Sequence, residues 1–172
     1  MTLKQGWRGR YYEDFEIGDL YQFPLGRTVT EADNAFLTML TMNSNPIHFD
    51  SHYAARTPFG KILINSGFTI ALVLGMSVSE VSQNALANLE MTDIKLSHPV
   101  FAGDTIYVEN RVLEKRESSS RPYAGIVGVQ TRAMNQEGDV VMTYRRSFMV
   151  YKRDQGPSQN LFPTAKQDWP DA

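Results

Sequence analysis

The segment that most restricts the fold is Ser66–Val78, with the sequence SGFTIALVLGMSV. Apolar residues occupy nearly every face of this segment, whereas a helix at a protein surface keeps one polar face. Its mostly apolar part, Gly67–Met76, is too short to span a bilayer. The pattern therefore predicts a helix that is surrounded by protein.

The chain after this helix is rich in β-forming residues. Turn sequences separate four predicted strands: Ala87–Leu96, Thr105–Lys115, Ala124–Met134 and Val140–Tyr151. An earlier strand is predicted at Tyr21–Val29. Runs of this length favour a strongly curved antiparallel sheet. We therefore predict an α+β fold in which a curved antiparallel sheet wraps around a central buried helix.

The chain length and the sheet edges predict the domain organisation. With 172 residues, the chain is expected to form a single domain at 1–153, followed by an extended polar tail at 154–172. A curved open sheet has exposed edges, which pairing with a second subunit covers. We therefore predict a homodimer or a larger homo-oligomer.

Composition excludes several classes of function. The net charge of -2 gives no long-range attraction for nucleic acid. The sequence contains no cysteine, which excludes a disulfide framework and thiolate catalysis. The N-terminal residues have no apolar run after their early charges, so we predict no secretory signal, no membrane association and a cytoplasmic location.

A second helix is predicted before the apolar one, at Glu31–Met42. Thr30 begins a capping-box sequence, with an acid three residues later, and apolar residues then recur at helical spacing. The helix is expected to end at Asn43–Pro46, because the residue before a proline disfavours the helical conformation. Asp50 is placed to cap a short helix at Ser51–Arg56.

His48 follows this proline-containing turn and is the candidate acid/base residue. Histidine titrates near neutrality, and a turn can hold a side chain rigidly yet leave it reachable. Asn43 and Asn45 can orient a water or fix the imidazole tautomer; alternatively, they only terminate the helix. His48 and His52 are spaced for one helical face, but no third ligand is evident and we predict no metal. His98 is predicted to be structural.

The start of the apolar helix is a second candidate for chemistry. The first N–H groups of a helix lack intrahelical partners and carry the positive end of the dipole. Ser66 is expected to be the N-cap, and Gly67 has no side chain to block close approach. An anionic oxygen would find donors there, as in an oxyanion hole. Alternatively, Gly67 only relieves crowding between the helix and the sheet.

The stretch Asn43–His48, with the sequence NSNPIH, resembles the motif of the MaoC-like hydratases, a branch of the hot-dog fold. That motif is an acid, any residue, Asn, Pro, an aliphatic residue and His. Further matches follow the order of the family, at Tyr12–Phe15, Gly18-Asp19, Asn65–Gly67, Pro99-Val100 and Gly103-Asp104. Together the matches cover most of the chain, from about residue 10 to residue 151.

The resemblance implies a reaction. MaoC-like enzymes add water reversibly across the C2=C3 bond of an enoyl thioester of coenzyme A or acyl carrier protein and give an (R)-3-hydroxyacyl thioester. No cofactor is implied, because coenzyme A is part of the substrate. By this match His48 is the acid/base residue, and the Gly67 N–H is the main donor to the thioester oxygen.

The chain departs from the family motif at Asn43, where the motif carries aspartate. An amide cannot accept a proton at any useful pH. Three outcomes are open. His48 could both activate the water and return the proton, with Asn43 positioning the water; the chain could bind thioesters without turnover; or another acid, for which no candidate is evident, could supply the base. Asparagine at this position, together with the segment Lys115–Pro122, resembles the branch that acts on short branched dicarboxylyl-CoA substrates such as mesaconyl- or itaconyl-CoA. We therefore predict an active enoyl-CoA hydratase.

Several residues are predicted to bind the substrate. The phosphates of coenzyme A require cations, and the candidates are Arg56, Lys61, Arg116 and Arg121. Arg121 is the first choice, because its planar fork suits a phosphate or a carboxylate; the alternative is a solvated loop arginine. Asn45 and Ser66 are further predicted contacts. The acyl pocket is expected to be shaped by Phe36, Met39, Met42, Phe68 and Leu72.

Two other functions stay open. A hot-dog acyl-CoA thioesterase adds water to the carbonyl carbon, and it usually needs a carboxylate on or near the central helix. Ser66–Ser79 contains no carboxylate, although Glu80 lies just beyond it. The other function is a non-catalytic acyl-thioester-binding module, because Asn43 replaces the usual aspartate.

Overall fold

The apolar segment forms α3 (Ser66–Ser77), which packs against one face of an antiparallel six-stranded sheet. The computed structural model describes residues 2–4, 6–157, 162–167 and 169. The strands are β1 (Leu20–Gln22), β2 (Arg27–Thr28), β3 (Ala85–Leu96), β4 (Thr105–Glu117), β5 (Ala124–Met134) and β6 (Val140–Tyr151). Their order is β1-β4-β5-β6-β3, and β2 also pairs with β4. The predicted α+β fold with a central helix is confirmed.

Short helical elements precede α3. They are a 3-10 turn at Tyr12–Asp14, α1 (Glu31–Leu40), a second 3-10 turn at Pro46–His48 and α2 (Ser51–Ala54). The predicted capping box is present, with Asp33 N–H donating to Thr30 Oγ1 at 3.2 Å and Thr30 N–H donating to Asp33 Oδ2 at 2.8 Å. A π-helical turn at Val78–Ser82 continues α3 towards β3.

The predicted single strand at Tyr21–Val29 is wrong, because the chain there is divided between β1 and β2. Pro24 lies in the interruption and has no N–H to donate to a ladder. Gly26 passes so close to β4 that a Cβ atom built on it would lie 2.7 Å from the ring of Tyr107. This segment therefore crosses the edge of β4 without continuous pairing.

One face of α3 is uncovered in the single chain. Its buried residues are Thr69, Val73, Met76 and Ser77. Gly67, Ala71 and Gly75 are exposed and follow one another at four-residue spacing, so they share a face. The prediction that protein surrounds α3 on every side is therefore wrong for one chain.

β3 forms an edge of the sheet, and its only ladder partner among the described strands is β6. Its large apolar side chains Leu89, Ile94 and Leu96 are each more than 40% exposed. Within the described part of the chain, no helix combines the length and the apolar character that crossing a membrane requires. Of the predicted tail, residues 154–157, 162–167 and 169 form no helix or strand, and residues 158–161, 168 and 170–172 lie outside the described residues.

Candidate active site

His48 is held by its backbone and by one ring nitrogen. It ends the 3-10 turn that Asn45 caps, with the Ile47 N–H donating to Asn45 Oδ1 at 3.3 Å. Its side chain is mostly buried, and Nδ1 lies 2.8 Å from the carbonyl oxygen of Leu63. A carbonyl only accepts hydrogen bonds, so Nδ1 carries the proton. The neutral imidazole therefore has its lone pair on Nε2, as a general base requires.

Asn43 is half-buried at the end of α1. Its N–H donates to the Thr38 carbonyl at 3.0 Å, and its Oδ1 accepts from the Asn45 N–H at 3.0 Å. Its Nδ2 group makes no hydrogen bond to any described residue. Both asparagines thus help to shape the turn, and the Asn43 amide keeps two donors for a water or a substrate oxygen. Asn45 is exposed.

The N-cap of α3 is Asn65, and the prediction of Ser66 at that position is wrong. Asn65 has the non-helical backbone of a cap, and its Oδ1 accepts from the Gly67 N–H at 2.8 Å. Ser66 is the first helical residue. A Cβ atom at Gly67 would meet only Asn65 Oδ1, at 3.2 Å. The glycine therefore leaves room for the cap, and crowding between the helix and the sheet does not explain it.

Three carboxylates near these elements already have hydrogen-bond or ion-pair partners. Asp50 caps α2 by accepting from the Tyr53 N–H at 2.9 Å, and Asp33 binds Arg27. Glu80, the acid nearest to α3 in sequence, pairs with Arg10 at 3.1 Å, beyond the far end of α3 from Gly67. The described residues contain no group of three or more His, Asp or Glu side chains that could hold a metal ion.

A groove of about 250 Å³ begins beside the residue that anchors His48. Leu63, Ser66 and Thr69 line one side of it, and Phe59 and His98 contribute elsewhere. Ser66 is therefore placed on this groove, and His98, which we predicted to be structural, is exposed on its wall. The predicted acyl-pocket residues Phe36, Met39 and Met42 are instead 71%, 57% and 89% exposed, whereas Phe68 and Leu72 pack against the core.

The structure separates the predicted cations into two groups. Arg56 and Lys61 precede the Leu63 anchor; the Arg56 guanidinium donates to the His52 carbonyl at 2.6 Å, and Lys61 Nζ lies 4.1 Å from the centroid of the Phe101 ring.

Arg121 lies in the turn between β4 and β5, and Arg116 lies near the end of β4. The opposite end of that sheet packs with the start of α3, because Ile64 belongs to one core cluster with Ile106 and Val141. The intervening strand, β5, has 11 residues and spans about 35 Å when extended. Within one chain Arg121 therefore lies far from the start of α3, and its contact with the substrate stays a prediction.

Sequence reasoning missed the buried polar side chains behind the site. Asn34 and Thr38 of α1 are 2% and 0% exposed, and they contact the backbone of His48 and the side chain of Asn65. Their spacing of four residues places them on one helical face, and this was the only signal in the sequence.

The chain is similar to known proteins over most of its length. The mesaconyl-CoA hydratase family matches residues 4–160. A mesaconyl-CoA hydratase from Cereibacter sphaeroides is 32% identical over 85% of this chain and 42% of its own length. A beta-methylmalyl-CoA dehydratase from Chloroflexus aurantiacus is 30% identical over 95% of this chain and 46% of its own.

A solved structure supports the fold. A Mycobacterium tuberculosis protein with a double hot-dog fold aligns with a TM-score of 0.77 at 20% identity, over 93% of this chain and 53% of that one. The chain thus spans about half the length of the curated relatives that it matches. From the match over residues 4–160 and the hot-dog architecture, we conclude that this chain belongs to the mesaconyl-CoA hydratase family.

Proposed function

We propose that this chain catalyses the reversible hydration of the C2=C3 bond of an enoyl-CoA thioester and that His48 is its acid/base residue. Nε2 of His48 removes a proton from water while the water oxygen bonds to C3. The electrons of the double bond move towards the thioester oxygen and form an enolate. The protonated imidazole then returns the proton to C2, giving the 3-hydroxyacyl thioester.

The observation that carries this proposal is the contact between His48 Nδ1 and the Leu63 carbonyl at 2.8 Å. It fixes the tautomer that leaves Nε2 unprotonated, and it ties the imidazole to Leu63, which lines the groove. General acid–base catalysis needs a group that can both accept and return a proton, and imidazole does so near neutral pH. One residue can perform both transfers when water and proton add to the same face.

The enolate oxygen needs donors, and the start of α3 supplies them. In the free protein the Gly67 N–H is bonded to Asn65 Oδ1, so an oxyanion at Gly67 has to take the place of that cap. The N–H groups of Ser66 and Phe68 lie in the same helical turn and have no intrahelical acceptor. Asn43 offers its Nδ2 donors to the attacking water. We therefore assign transition-state stabilisation to the start of α3 and water positioning to Asn43.

The proposed substrates are short branched dicarboxylyl-CoA thioesters such as mesaconyl-CoA. Relatives named mesaconyl-CoA hydratase and beta-methylmalyl-CoA dehydratase support this class. The groove of about 250 Å³ beside Ser66 is suited to a short acyl group. Arg56 and Lys61 shortly precede Leu63 in the sequence, and we assign them to the phosphates of coenzyme A.

We also propose a homodimer, or a larger homo-oligomer, in the cytoplasm. The uncovered face of α3 and the free edge of β3 are both surfaces that pairing with a second copy could bury. A relative with two hot-dog units in one chain supports the pairing of such units. Light scattering after size-exclusion chromatography measures the mass, and a monomer at micromolar concentration would contradict this assembly.

One assay tests the reaction against its alternatives. The protein is incubated with mesaconyl-CoA and with crotonyl-CoA, while enoyl absorbance and free thiol are followed together. Loss of enoyl absorbance without thiol release is expected, and it should be faster with mesaconyl-CoA. Thiol release as the main outcome would identify a thioesterase, and binding without either change would identify a non-catalytic module; both would refute the proposed reaction.

A further inference from the structure

The first helix of the domain, α1, turns its polar residues inward. Asn34 and Thr38 are 2% and 0% exposed, whereas Phe36 and Leu40 are 71% and 66% exposed. Hydrophobic burial alone would favour the opposite orientation. Burying polar groups is unfavourable unless they find hydrogen-bond partners, so specific partners must determine which face of α1 packs inward.

Asn34 provides the first of these partnerships, because its carboxamide bridges the two halves of the candidate site. Its Nδ2 donates to the His48 carbonyl at 2.7 Å. Its Oδ1 accepts from the Asn65 N–H at 2.8 Å. A carboxamide is planar and rigid, so this side chain fixes the backbone of the histidine turn relative to the cap of α3.

Thr38 controls the direction of the cap. The Asn65 Nδ2 group donates to Thr38 Oγ1 at 3.2 Å, while Asn65 Oδ1 accepts from the Gly67 N–H at 2.8 Å. The Thr38 hydroxyl in turn donates to Asn34 Oδ1 at 3.5 Å. Because Thr38 Oγ1 accepts a hydrogen bond from Asn65 Nδ2, the amide oxygen of Asn65 is directed at the Gly67 N–H. A closed hydrogen-bonded ring thus joins Asn34, Thr38 and Asn65.

We propose that Asn34 and Thr38 are positioning residues for the hydration reaction, setting the spacing and orientation between the His48 imidazole and the N–H groups at the start of α3. This inference rests on the proposed function of that site. Neither residue touches the reacting atoms; each acts through backbone or side-chain groups of His48 and Asn65. Reactions of this kind tolerate little displacement, because a shift of about 1 Å can lower the rate by about 10²-fold.

The test compares three threonine variants of the full chain. Thr38→Val keeps the branched shape and removes the hydroxyl, and Thr38→Ser keeps the hydroxyl. Thr41→Val is the matched control, because Thr41 lies one position beyond α1 and its hydroxyl donates to the carbonyls of Leu37 and Thr38. We expect kcat for mesaconyl-CoA to fall by about 10- to 100-fold in Thr38→Val, with KM within about twofold of wild type.

Thr38→Ser is expected to recover kcat to within about threefold of wild type, and Thr41→Val to leave it unchanged. If Thr38 had a purely structural role, Thr38→Val would lower the melting temperature and the fraction of active protein. Restoring the hydroxyl in Thr38→Ser would then not restore kcat. The inference is overturned if Thr38→Val keeps wild-type kcat, or if Thr38→Ser loses as much as Thr38→Val.

A measurement without substrate separates this inference from the proposed reaction. In the ¹⁵N spectrum of the folded protein, the Asn65 side-chain NH₂ and Gly67 N–H resonances should shift in Thr38→Val and stay in place in Thr38→Ser and Thr41→Val. Unchanged resonances in Thr38→Val would refute the network even if the wild type hydrates thioesters. If the wild type does not hydrate thioesters but the expected resonance shifts are seen, the proposed reaction is refuted and the hydrogen-bonded network is supported.

Discussion

Replacing His48 by asparagine separates its chemistry from its structural bond. The Leu63 carbonyl accepts from Nδ1 of His48 at 2.8 Å, and an asparagine side chain can offer its Nδ2 at nearly the same place. The variant therefore keeps a donor for the carbonyl and loses the nitrogen that exchanges protons. His48→Ala removes both functions, so the two variants together distinguish catalysis from support of the turn.

The expected losses differ in size. General acid–base catalysis contributes about 10²- to 10⁴-fold, equivalent to about 3–5 kcal/mol of barrier. Both variants should therefore lose at least about 100-fold in kcat. Only His48→Ala leaves a part-buried carbonyl without its partner, which costs about 1–3 kcal/mol of stability. A clear fall in melting temperature is expected for His48→Ala and a smaller one for His48→Asn.

His52→Asn is the matched control, since it makes the same substitution at an exposed histidine four residues further along. Initial rates with mesaconyl-CoA and thermal unfolding curves are measured for all three variants and the wild type. The control should keep wild-type values of both. If His48→Asn retains more than about a tenth of the wild-type kcat, His48 is not the acid/base residue and the mechanism is refuted.

Three further predictions concern other parts of the chain. Asn43→Asp should keep at least about a tenth of wild-type kcat, because the carboxylate can still accept the hydrogen bond from the Asn45 N–H and supplies the acid of the family motif. A total loss of turnover would contradict the role given to Asn43. Hydrogen bonding from Gln22, with the ion pair to Arg132, holds the pKa of Glu109 below its usual 4.5. The ionised Glu109 therefore stabilises the fold above that pH, and this contribution is lost as the pH falls through its folded-state pKa. The melting temperatures of Glu109→Gln and the wild type should therefore differ at pH 7 and converge in acid; a constant difference would refute this. Gly125→Ala places a Cβ atom 2.1 Å from the Tyr12 ring, so chemical denaturation should show a free energy of unfolding lower by about 1–3 kcal/mol. An unchanged denaturation midpoint would show that the ring moves freely.

Much of the sheet could be predicted from the sequence because local signals suffice there. Turn residues bracket each long β-rich run, and the predicted starts and ends of the four long strands lie within two residues of those of β3–β6. The capping box at Thr30 is also local, and it placed the start of α1 correctly. The strand predicted at Tyr21–Val29 failed because Pro24 has no N–H to donate to a ladder, and because Gly26 passes close to Tyr107, a residue distant in sequence.

The buried polar ring could not be predicted, because it depends on which segments meet in space. A polar residue in an amphipathic helix is ordinarily exposed, so Asn34 and Thr38 looked like the outer face of α1. Arg121 shows the same limit: the sequence shows a flexible cation in a turn, but not at which end of the sheet that turn lies. His48 was identifiable because its motif is contiguous, with the helix stop and the histidine in one hexapeptide.

The cap on α3 also affects how the site discriminates between ligands. Because Asn65 Oδ1 already occupies the Gly67 N–H, any ligand oxygen competes with an internal acceptor of similar strength. A neutral thioester carbonyl gains little from such an exchange. An enolate oxygen gains more, because a hydrogen bond to a charged acceptor is about twice as strong as one between neutral groups. Displacing the cap costs both states the same hydrogen bond, so the neutral carbonyl is left with no net gain and the enolate with a positive one. The contact at Gly67 is thus favourable mainly in the transition state, which is the condition for a faster chemical step.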